Sequence, residues 1–362
     1  MHKIFYAPAK YIQGPGVFDR LGELLTGRYA SCFALLDPAI EDMLRGKLAK
    51  AFDRNVFPGC PALAAAPARG ECCDEEIERV AATARAAGAD VVVAAGGGKT
   101  VDIGKAAAAR IKAASVIVPT IAASDAPTSS IAIMYTADHV YKGAVRFPDN
   151  PYMILVDTEI IAHAPPRFLA AGMGDALATK IEAERCMQAG GANLHGFTGT
   201  ASALQLARFA YDVILENGVA AMRDVAAHTV TPALEAVVEA NILMSGVGWE
   251  NCGLAVPHAF HGALTGIPRF DKAMHGERVA LGVLIQAHYE GDNAEYERLR
   301  DFFRRVGLPV SFRDISDADT ITAEELAAVM SFISRPVSYA HNLPGGLDPE
   351  RLLATMRYFA SL

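Results

Sequence analysis

The stretch "DVVVAAGGGKTVDIGKAAAARI" at residues 90–111 decides the fold of this 362-residue chain. It opens with an apolar run typical of a buried β-strand, continues through three glycines, and ends in residues with the apolar spacing of a helix. Similar strand-like and helix-like runs lie on both sides of it. Strands are predicted at "SCFALLD" (31–37), "SVIVP" (115–119), "YMILVD" (152–157) and as a pair with a turn over 130–147, and a helix over 73–88. This alternation predicts a parallel sheet with crossover helices.

The pattern changes near residue 163, at "HAPPRF" (163–168), where two prolines punctuate the chain. The later segments carry apolar residues at helical spacing and hardly any strand signal. We therefore expect an α/β domain over 1–162 and an all-helical domain over 163–362, with the active site in the cleft between them. The alanine-rich residues 62–70 are expected to form a loop or the start of a helix.

Composition excludes several classes of partner. A net charge of −8 argues against general affinity for nucleic acid or for an anionic membrane. The best apolar run is interrupted by Lys105, Arg110 and Lys112, so no segment is expected to cross a bilayer. The six cysteines form no C-x-x-C pair, and the first residues contain no apolar signal core. These features predict a cytoplasmic protein with unpaired thiols.

The glycine turn is not a nucleotide-triphosphate loop. That loop needs a glycine five positions before Gly98, where Val93 stands, and the pattern G-x-G-x-x-G fails because the next glycine is Gly104. Glycines at a strand end still let a ligand approach the backbone, and the free N–H groups at the start of the next helix favour an anion. A pyrophosphate fits this turn better than a reacting phosphate, although a tight turn without a ligand has the same sequence.

Two further segments predict residues near such a ligand. Asp37 ends a predicted strand. In dinucleotide-binding folds a carboxylate at a strand end holds ribose hydroxyls and favours NAD over NADP. The alternative is that Asp37 is an ordinary turn aspartate. "VPTIAASDAPTSS" (118–130) leads from a strand into a polar loop, so Thr120, Asp125 and Ser129 are expected to face the ligand at the carboxyl edge of the sheet.

The helical half contains a candidate metal site. Three of the ten histidines, His258, His261 and His275, lie within "PHAFHGALTGIPRFDKAMHGE" (257–277). The first two are three residues apart, so they share a face of a helix. A catalytic zinc takes about three protein ligands. A carboxylate would complete the ligand set of the histidines, and Asp175 is a candidate for it. Its alternative function is the N-cap of a helix.

Five motifs together resemble the iron-containing alcohol dehydrogenase and dehydroquinate synthase superfamily, and within it the glycerol dehydrogenases. They are "GGGKTVDIGKA", "PTIAASDAPTSS", "GMGDALATKIEAE", "GVGWENCGLAVPHAFHGALTGI" and "HGERVALG", in the order of the family and over nearly the whole chain. The resemblance implies that Asp175, His258 and His275 are the metal ligands. It implies that Asp125 and Trp249 lie beside the substrate. The residues that it places around NAD are Asp37, Gly96, Gly97, Gly98, Lys99, Thr120, Ser129, Ile131 and Tyr135.

The resemblance also implies an activity, in which NAD⁺ takes a hydride from the secondary alcohol of glycerol near a zinc ion and dihydroxyacetone forms. Asp125 and His261 are the expected catalytic residues, the latter as a proton relay. Many iron-using relatives have a histidine where this chain has Thr179, which favours Zn²⁺ over Fe²⁺. Relatives form octamers, so a homo-oligomer is expected.

Three other functions are weighed against this one. The nearest alternative is an NAD-dependent enzyme for another small vicinal diol or hydroxyketone. A dehydroquinate synthase needs several basic residues for its substrate, and segments 120–130 and 245–262 contain no lysine or arginine. A non-catalytic nucleotide-binding protein would not need the three metal ligands.

Overall fold

The computed structural model describes residues 2–138, 140–316 and 319–362. The strands within these ranges are β1 (Lys10–Gly14), β2 (Ser31–Leu36), β3 (Ala62–Pro67), β4 (Val91–Gly96), β5 (Ala114–Pro119), β6 (Ile131–Tyr135), β7 (Tyr141–Arg146) and β8 (Met153–Asp157). The helices of the first half are α1 (Leu21–Leu25), α2 (Glu41–Ala51), α3 (Asp74–Ala86), α4 (Gly98–Ile111) and α5 (Thr158–Ala162). Those that follow are α6 (Pro166–Gln188), α7 (Ala201–Ala226), α8 (Pro232–Glu239), α9 (Ser245–Cys252), α10 (Val256–Leu264), α11 (His275–Glu290), α12 (Asn293–Val306), α13 (Ala323–Ile333) and α14 (Pro349–Ser361).

Six strands form one parallel sheet in the order β1-β8-β5-β4-β2-β3, which confirms the predicted parallel sheet. The central strand β4 pairs with β2 on one side and with β5 on the other, and all its residues are buried. Helices cover both faces, which is why the central strands read as continuous apolar runs rather than alternating ones. Parallel strands end at one edge, so the segments that follow β2, β4 and β5 come together there.

Neither edge strand of the sheet, β1 or β3, was predicted from the sequence. Residues 62–70 were expected to form a loop or a helix start, which is wrong, because Ala62–Pro67 is the strand β3. Alanine has little intrinsic preference for strands, and here the pairing of Ala62 with Ser31 and of Pro67 with Leu36 outweighs that preference. The other edge strand, β1, pairs with β8 and carries no alternation of apolar and polar residues strong enough to predict it.

The predicted strand pair over 130–147 is present as the antiparallel hairpin of β6 and β7. Of the turn between these strands, His139 lies outside the described residues.

The described residues that follow β8 form helices and the loops between them, as predicted for the second half, and the one β-bridge among them joins Thr198 to Lys3. A π-helical segment, Ala240–Met244, joins α8 to α9. None of the described helices combines the length and the apolar character needed to cross a membrane. The division of the chain at residues 162 and 163 stays a prediction.

Small residues bring the helices that carry the candidate site very close together. A Cβ on Gly276, in the first turn of α11, would lie 1.9 Å from the carbonyl oxygen of Ala171 in α6. A Cβ on Gly172 would lie equally close to the carbonyl oxygen of Ala122, in the loop after β5. Asn241 donates to this same oxygen over 3.1 Å. Helix α6 is therefore fixed against both the sheet edge and α11.

Candidate functional site

The three predicted metal ligands converge on one point, although they come from three helices. Asp175 is fully buried in α6, His258 lies in α10 and His275 is the first residue of α11. Their ligand atoms all lie within 4.8 Å of one another. Oδ1 of Asp175 is 3.0 Å from Nε2 of His275 and 3.4 Å from Nε2 of His258.

The charges of this triad suit a divalent cation. Burial by itself raises the pKa of Asp175, but His275 and His258 hold it well below its ordinary value, so the carboxylate is ionised. One carboxylate oxygen and two imidazole nitrogens are ligands that Zn²⁺ and Fe²⁺ both accept. The residues present therefore fit a metal, and their chemistry alone does not choose between the two ions.

A second carboxylate, Glu182, is hydrogen-bonded to the ligand His258 and was not predicted from the sequence. It is fully buried, and its Oε1 accepts bonds from the backbone N–H groups of Ala255 (2.8 Å) and His258 (3.0 Å). Its Oε2 lies 2.5 Å from Nδ1 of His258. Burial lowers the pKa of His258, but Glu182 and Asp175 raise it well above its ordinary value. A proton on Nδ1 shared with Glu182 leaves Nε2 for a metal. Spacing could have indicated Glu182. It follows Asp175 by seven residues, or two helical turns, so both side chains lie on the same face of α6.

His261 lies behind the other histidine ligand. Its Nε2 is 3.1 Å from Nδ1 of His275, and its own Nδ1 is buried without a partner among the described residues. Burial and the charge of His275 lower the pKa of His261 well below its ordinary value, so the ring is neutral. The two imidazoles can then share one proton between Nδ1 and Nε2, which orients His275 as Glu182 orients His258. The proposed relay through His261 stays a prediction.

Asp125 lies directly beside the triad. Its backbone N–H donates to Oδ2 of Asp175 over 3.3 Å, and its own Oδ2 accepts from the hydroxyl of Ser245 at 2.7 Å. That hydroxyl is 2.8 Å from Oγ1 of Thr179, so Thr179 is engaged within this chain of hydrogen bonds. Burial, followed by the charge of Asp175, raises the pKa of Asp125 well above its ordinary value.

The glycine turn lies at the carboxyl edge of the sheet, between β4 and α4. The N–H of Gly97 donates to Oδ2 of Asp37 over 3.2 Å, and Oδ1 of Asp37 accepts from the N–H of Ala39. Asp37 therefore makes the local backbone contact of a turn aspartate, with Ala39, and also contacts the glycine turn, at Gly97. A Cβ on Gly96 would lie 2.8 Å from Cβ of Asp37, so only glycine fits there. An open cleft of about 340 Å³ runs past Asp37, Gly97, Gly98 and Lys99.

Lys99 forms an ion pair at this turn that the sequence did not predict. Its Nζ contacts Oε1 of Glu71, a buried residue in the segment between β3 and α3. About half of the Lys99 side chain stays exposed to the cleft. A cation is therefore present where the resemblance places a pyrophosphate.

The polar loop before β6 is held by a buried lysine. Nζ of Lys105 donates to the carbonyl oxygens of Ala126 (2.9 Å) and Ile131 (2.5 Å), and it pairs with Asp102 at 2.9 Å. Ser129 lies 3.4 Å from the same Nζ. Lys105 and Asp102 are three residues apart in α4, a spacing that predicts a helical ion pair but not its burial under this loop.

The remaining predicted site residues lie just after β5, at the end of β6 and in α9. Thr120 follows β5 and its N–H donates to the carbonyl oxygen of Gly96. Tyr135 ends β6. Trp249, in α9, is buried against Ile131 and Leu254, and its indole N–H has no partner among the described residues. Trp249 follows Ser245 by one turn, so it shares the face of α9 that reaches Asp125.

Comparison with known proteins shows the family to which the chain belongs. Residues 8–158 match the family model described as iron-containing alcohol dehydrogenase. The glycerol dehydrogenase of Pseudomonas putida is 38% identical, with 98% of this chain and 96% of the relative covered. The glycerol dehydrogenase of Thermotoga maritima is 41% identical, with 93% and 91% covered.

A solved structure gives the same result in three dimensions. The crystal structure of glycerol dehydrogenase from Schizosaccharomyces pombe superimposes with a TM-score of 0.92 and 31% identity, over 99% of this chain and 91% of that one. Sequence and fold agree over nearly the whole length of both chains. This protein is therefore an oxidoreductase that belongs to the iron-containing alcohol dehydrogenase family, alongside the glycerol dehydrogenases.

Proposed function

We propose that this protein oxidises glycerol to dihydroxyacetone with NAD⁺ as the hydride acceptor and a divalent metal at the Asp175–His258–His275 triad. The observation that carries the proposal is the convergence of these three ligands, from three helices, beside Asp125. In the reaction the secondary carbinol carbon loses a hydride to the nicotinamide, and its hydroxyl loses a proton to water. Similarity to several glycerol dehydrogenases over nearly the whole chain supports this choice of substrate.

Zinc is the metal that we propose for the site. A bound zinc ion supplies Lewis-acid chemistry that lowers the pKa of an alcohol. Asp175, His258 and His275 provide the three protein ligands that a catalytic zinc takes. Thr179 has no side-chain nitrogen to offer as a fourth ligand, and its hydroxyl is hydrogen-bonded to Ser245. Metal analysis of the purified protein tests this proposal against iron.

The carboxyl edge of the sheet is the proposed NAD site. The nicotinamide supplies the acceptor for the hydride. Gly97 and Gly98 present the start of α4 to a pyrophosphate, with Lys99 beside it, and Asp37 both holds ribose hydroxyls and repels a 2′-phosphate. The residues that we propose to line the rest of the cleft are Gly96, Thr120, Ser129, Ile131 and Tyr135.

Asp125 and His261 are the proposed catalytic side chains. Asp125 contacts Asp175 through its backbone N–H, and we propose that its carboxyl group bonds a hydroxyl of the substrate beside the triad. Replacing His261 with alanine tests its function in proton transfer. A relay alone predicts lower turnover at unchanged zinc affinity, whereas the contact with His275 predicts that zinc affinity falls as well.

The proposal is tested by following NADH formation with zinc-loaded protein and glycerol, 1,2-propanediol or 2,3-butanediol. We expect the highest kcat/KM for glycerol, and loss of activity on chelation or in Asp175→Asn. A clear preference for another diol, or for a hydroxyketone in the reverse direction, would instead support the alternative substrate. The alternative substrate is kept because of Trp249. We propose that its indole lies beside the substrate, where its size affects which polyol fits.

We also propose that the site lies between two domains, 1–162 and 163–362, and that the enzyme is a cytoplasmic homo-oligomer, an octamer by the resemblance. Light scattering on the purified protein measures the mass of the assembly. A monomer at micromolar concentration would contradict this part of the proposal.

A further inference from the structure

A lysine and a glutamate form an ion pair in the cleft at the glycine turn. Nζ of Lys99 contacts Oε1 of Glu71, and the Lys99 side chain stays 52% exposed whereas that of Glu71 is 9% exposed. Lys99 is in the first turn of α4, and Glu71 lies in the segment that leads from β3 to α3. The ammonium group is therefore open to the cleft, and the carboxylate that neutralises it is largely buried.

The cleft contains few charged groups besides this pair. The described residues that line its volume of about 340 Å³ are Asp37, Pro38, Ala68, Gly70, Gly97, Gly98, Lys99 and Thr100. Lys99 is the one cation among them, since Arg69, which separates Ala68 from Gly70 in the chain, is not a lining residue. An anion that enters this cleft therefore meets a single lining cation, and a carboxylate of the protein already contacts it.

An anion that binds Lys99 must lie close to Glu71. Acceptors of a charged N–H group lie about 2.8 Å from the nitrogen, so two acceptors of one ammonium group are at most roughly 6 Å apart. Repulsion between two negative charges at that distance changes a binding constant by about 3- to 100-fold, depending on how far water screens them. Because half of the Lys99 side chain is exposed to water, we expect the lower part of this range.

An ion pair can also help a ligand by fixing the direction of the cation that binds it. Such orientation matters for an arginine, whose planar fork must align with two oxygens. An ammonium group is instead a compact charge with three donors on a flexible stem. Lys99 gains little from being oriented, so the repulsion between Glu71 and the anion is the larger effect.

We propose that Glu71 competes with the pyrophosphate of the dinucleotide for Lys99, and that this competition weakens cofactor binding and speeds the release of NADH. The inference rests on the proposed function in that the cleft binds a dinucleotide. It predicts that removal of the Glu71 carboxylate strengthens binding. A residue that only stabilised the fold, or only oriented Lys99, would give the opposite result when replaced.

The test measures binding rather than turnover. Titration calorimetry on the zinc-loaded full-length protein gives the dissociation constants of NADH and of ADP-ribose, and stopped-flow fluorescence gives the rate at which NADH dissociates. ADP-ribose contains the pyrophosphate but no nicotinamide, so its binding does not depend on the substrate side of the site.

Glu71→Gln removes the charge and keeps an amide oxygen that can accept a hydrogen bond from Lys99. Glu78→Gln is the matched control, because Glu78 pairs with Arg110 at the other end of α4, 3.7 Å away. Arg110 follows Lys99 by 11 residues, or roughly 16 Å of helix, which exceeds the Debye length at physiological ionic strength.

We expect Glu71→Gln to lower both dissociation constants by about three- to tenfold and to slow the dissociation of NADH. Glu78→Gln should change neither constant by more than about 1.5-fold. Unchanged or weaker binding in a folded Glu71→Gln would overturn the proposal. An equal gain in Glu78→Gln would overturn it too, since the effect would then be a general one of net charge.

Glu71→Ala is prepared in parallel, and the same criterion is applied to it if Glu71→Gln does not fold. If neither variant folds, the carboxylate is needed for the fold itself and the proposal is wrong.

Glycerol oxidation by the unchanged protein is measured alongside, so that the two proposals are judged separately. Binding of NADH and ADP-ribose without oxidation of glycerol refutes the proposed substrate, and the binding constants of the variants still decide the function of Glu71. If neither ligand binds the unchanged protein, the proposed NAD site is wrong, and the inference about Glu71 is wrong with it.

Discussion

Glu182 is the residue whose importance for the site is supported most directly by distances. It bonds Nδ1 of His258 and two backbone N–H groups of the segment that carries this histidine. We expect Glu182→Gln to weaken zinc binding about 10- to 100-fold, because the imidazole loses its charged partner. Competition with a chromophoric chelator measures the affinity.

Glu184 offers the matched control for this prediction. It lies on the same helix, pairs with Arg208 at 2.7 Å and has no contact with the triad. Glu184→Gln should bind zinc as the unchanged protein does. If Glu182→Gln also keeps the full affinity, the supporting function assigned to Glu182 is disproved.

Individual site residues were predictable from the sequence to very different degrees. Asp175, His258 and His275 could be named from their motifs, but only the packing of α6, α10 and α11 shows that they meet. Glu182, Glu71 and Lys105 were not predicted as site residues, because helical spacing can relate Glu182 to Asp175 and Lys105 to Asp102, but no local pattern shows that these charged side chains are buried. Apart from Asp102, the partners of these residues are distant in the chain, and no local pattern predicts such contacts.

Among the elements, the contact of α6 with α11 sets the position of His275 relative to Asp175. Gly276→Ala places a Cβ 1.9 Å from the backbone oxygen of Ala171, which cannot move aside as a side chain can. We expect a loss of about 1–3 kcal/mol in the free energy of unfolding, together with weaker zinc binding. Chemical denaturation and chelator competition measure the two effects.

Gly46→Ala is the corresponding control in an exposed helix. Gly46 lies inside α2, and a Cβ there meets no atom within 4 Å. Replacement should stabilise the protein by about 0.5–1 kcal/mol, since alanine restricts the unfolded chain. If Gly276→Ala behaves like Gly46→Ala, the close approach of α6 and α11 is not under steric constraint.

The packing of α14 on α11 predicts a dependence on pH. His288 stacks on Tyr358 with ring centres 4.5 Å apart, and burial, followed by the charge of Arg351, lowers the pKa of His288. A histidine whose pKa is lower in the folded state contributes stability above its unfolded pKa, and this contribution is lost as the pH falls toward the folded pKa. His288→Phe keeps a stacked ring without a titrating group.

We therefore expect His288→Phe to lose less stability than the unchanged protein between about pH 7 and pH 5. Thermal unfolding in matched buffers over this range gives the slope of stability against pH for each of the two proteins. Equal slopes would show that His288 does not contribute to the acid sensitivity of this contact.

The elements themselves were largely predictable wherever burial is continuous. β2, β4, β5 and β8 lie inside the sheet or between its covering helices, and their apolar runs predicted them. The alanine-rich β3 was missed because its conformation is imposed by pairing with β2, and β1 because its polar residues lie at an edge.

For the whole molecule, a metal at the triad joins α6 to the consecutive helices α10 and α11, which come about 70 residues or more later in the chain. Binding to the folded state alone raises the free energy of unfolding, by about 2.7 kcal/mol at a free ion concentration 100 times the dissociation constant. We expect zinc to raise the melting temperature and Asp175→Asn to abolish the rise. Differential scanning calorimetry measures both.

Calcium is the control ion for this experiment, since it prefers sites made wholly of oxygen ligands. It should leave the melting temperature unchanged. An equal rise with calcium, or a zinc-dependent rise that persists in Asp175→Asn, would place the bound ion elsewhere in the molecule.

The pairing of β1 with β8 has a consequence for biosynthesis. Lys10 is opposite Met153 in the sheet, so β1 is synthesised before the other described strands and has no partner until β8 has been made. During this time β1 is an exposed edge capable of pairing with other nascent chains. Among the described strands, β2 and β3 are the first pair to be synthesised in full, β4 and β5 then extend the sheet, and β1 can join it only after β8.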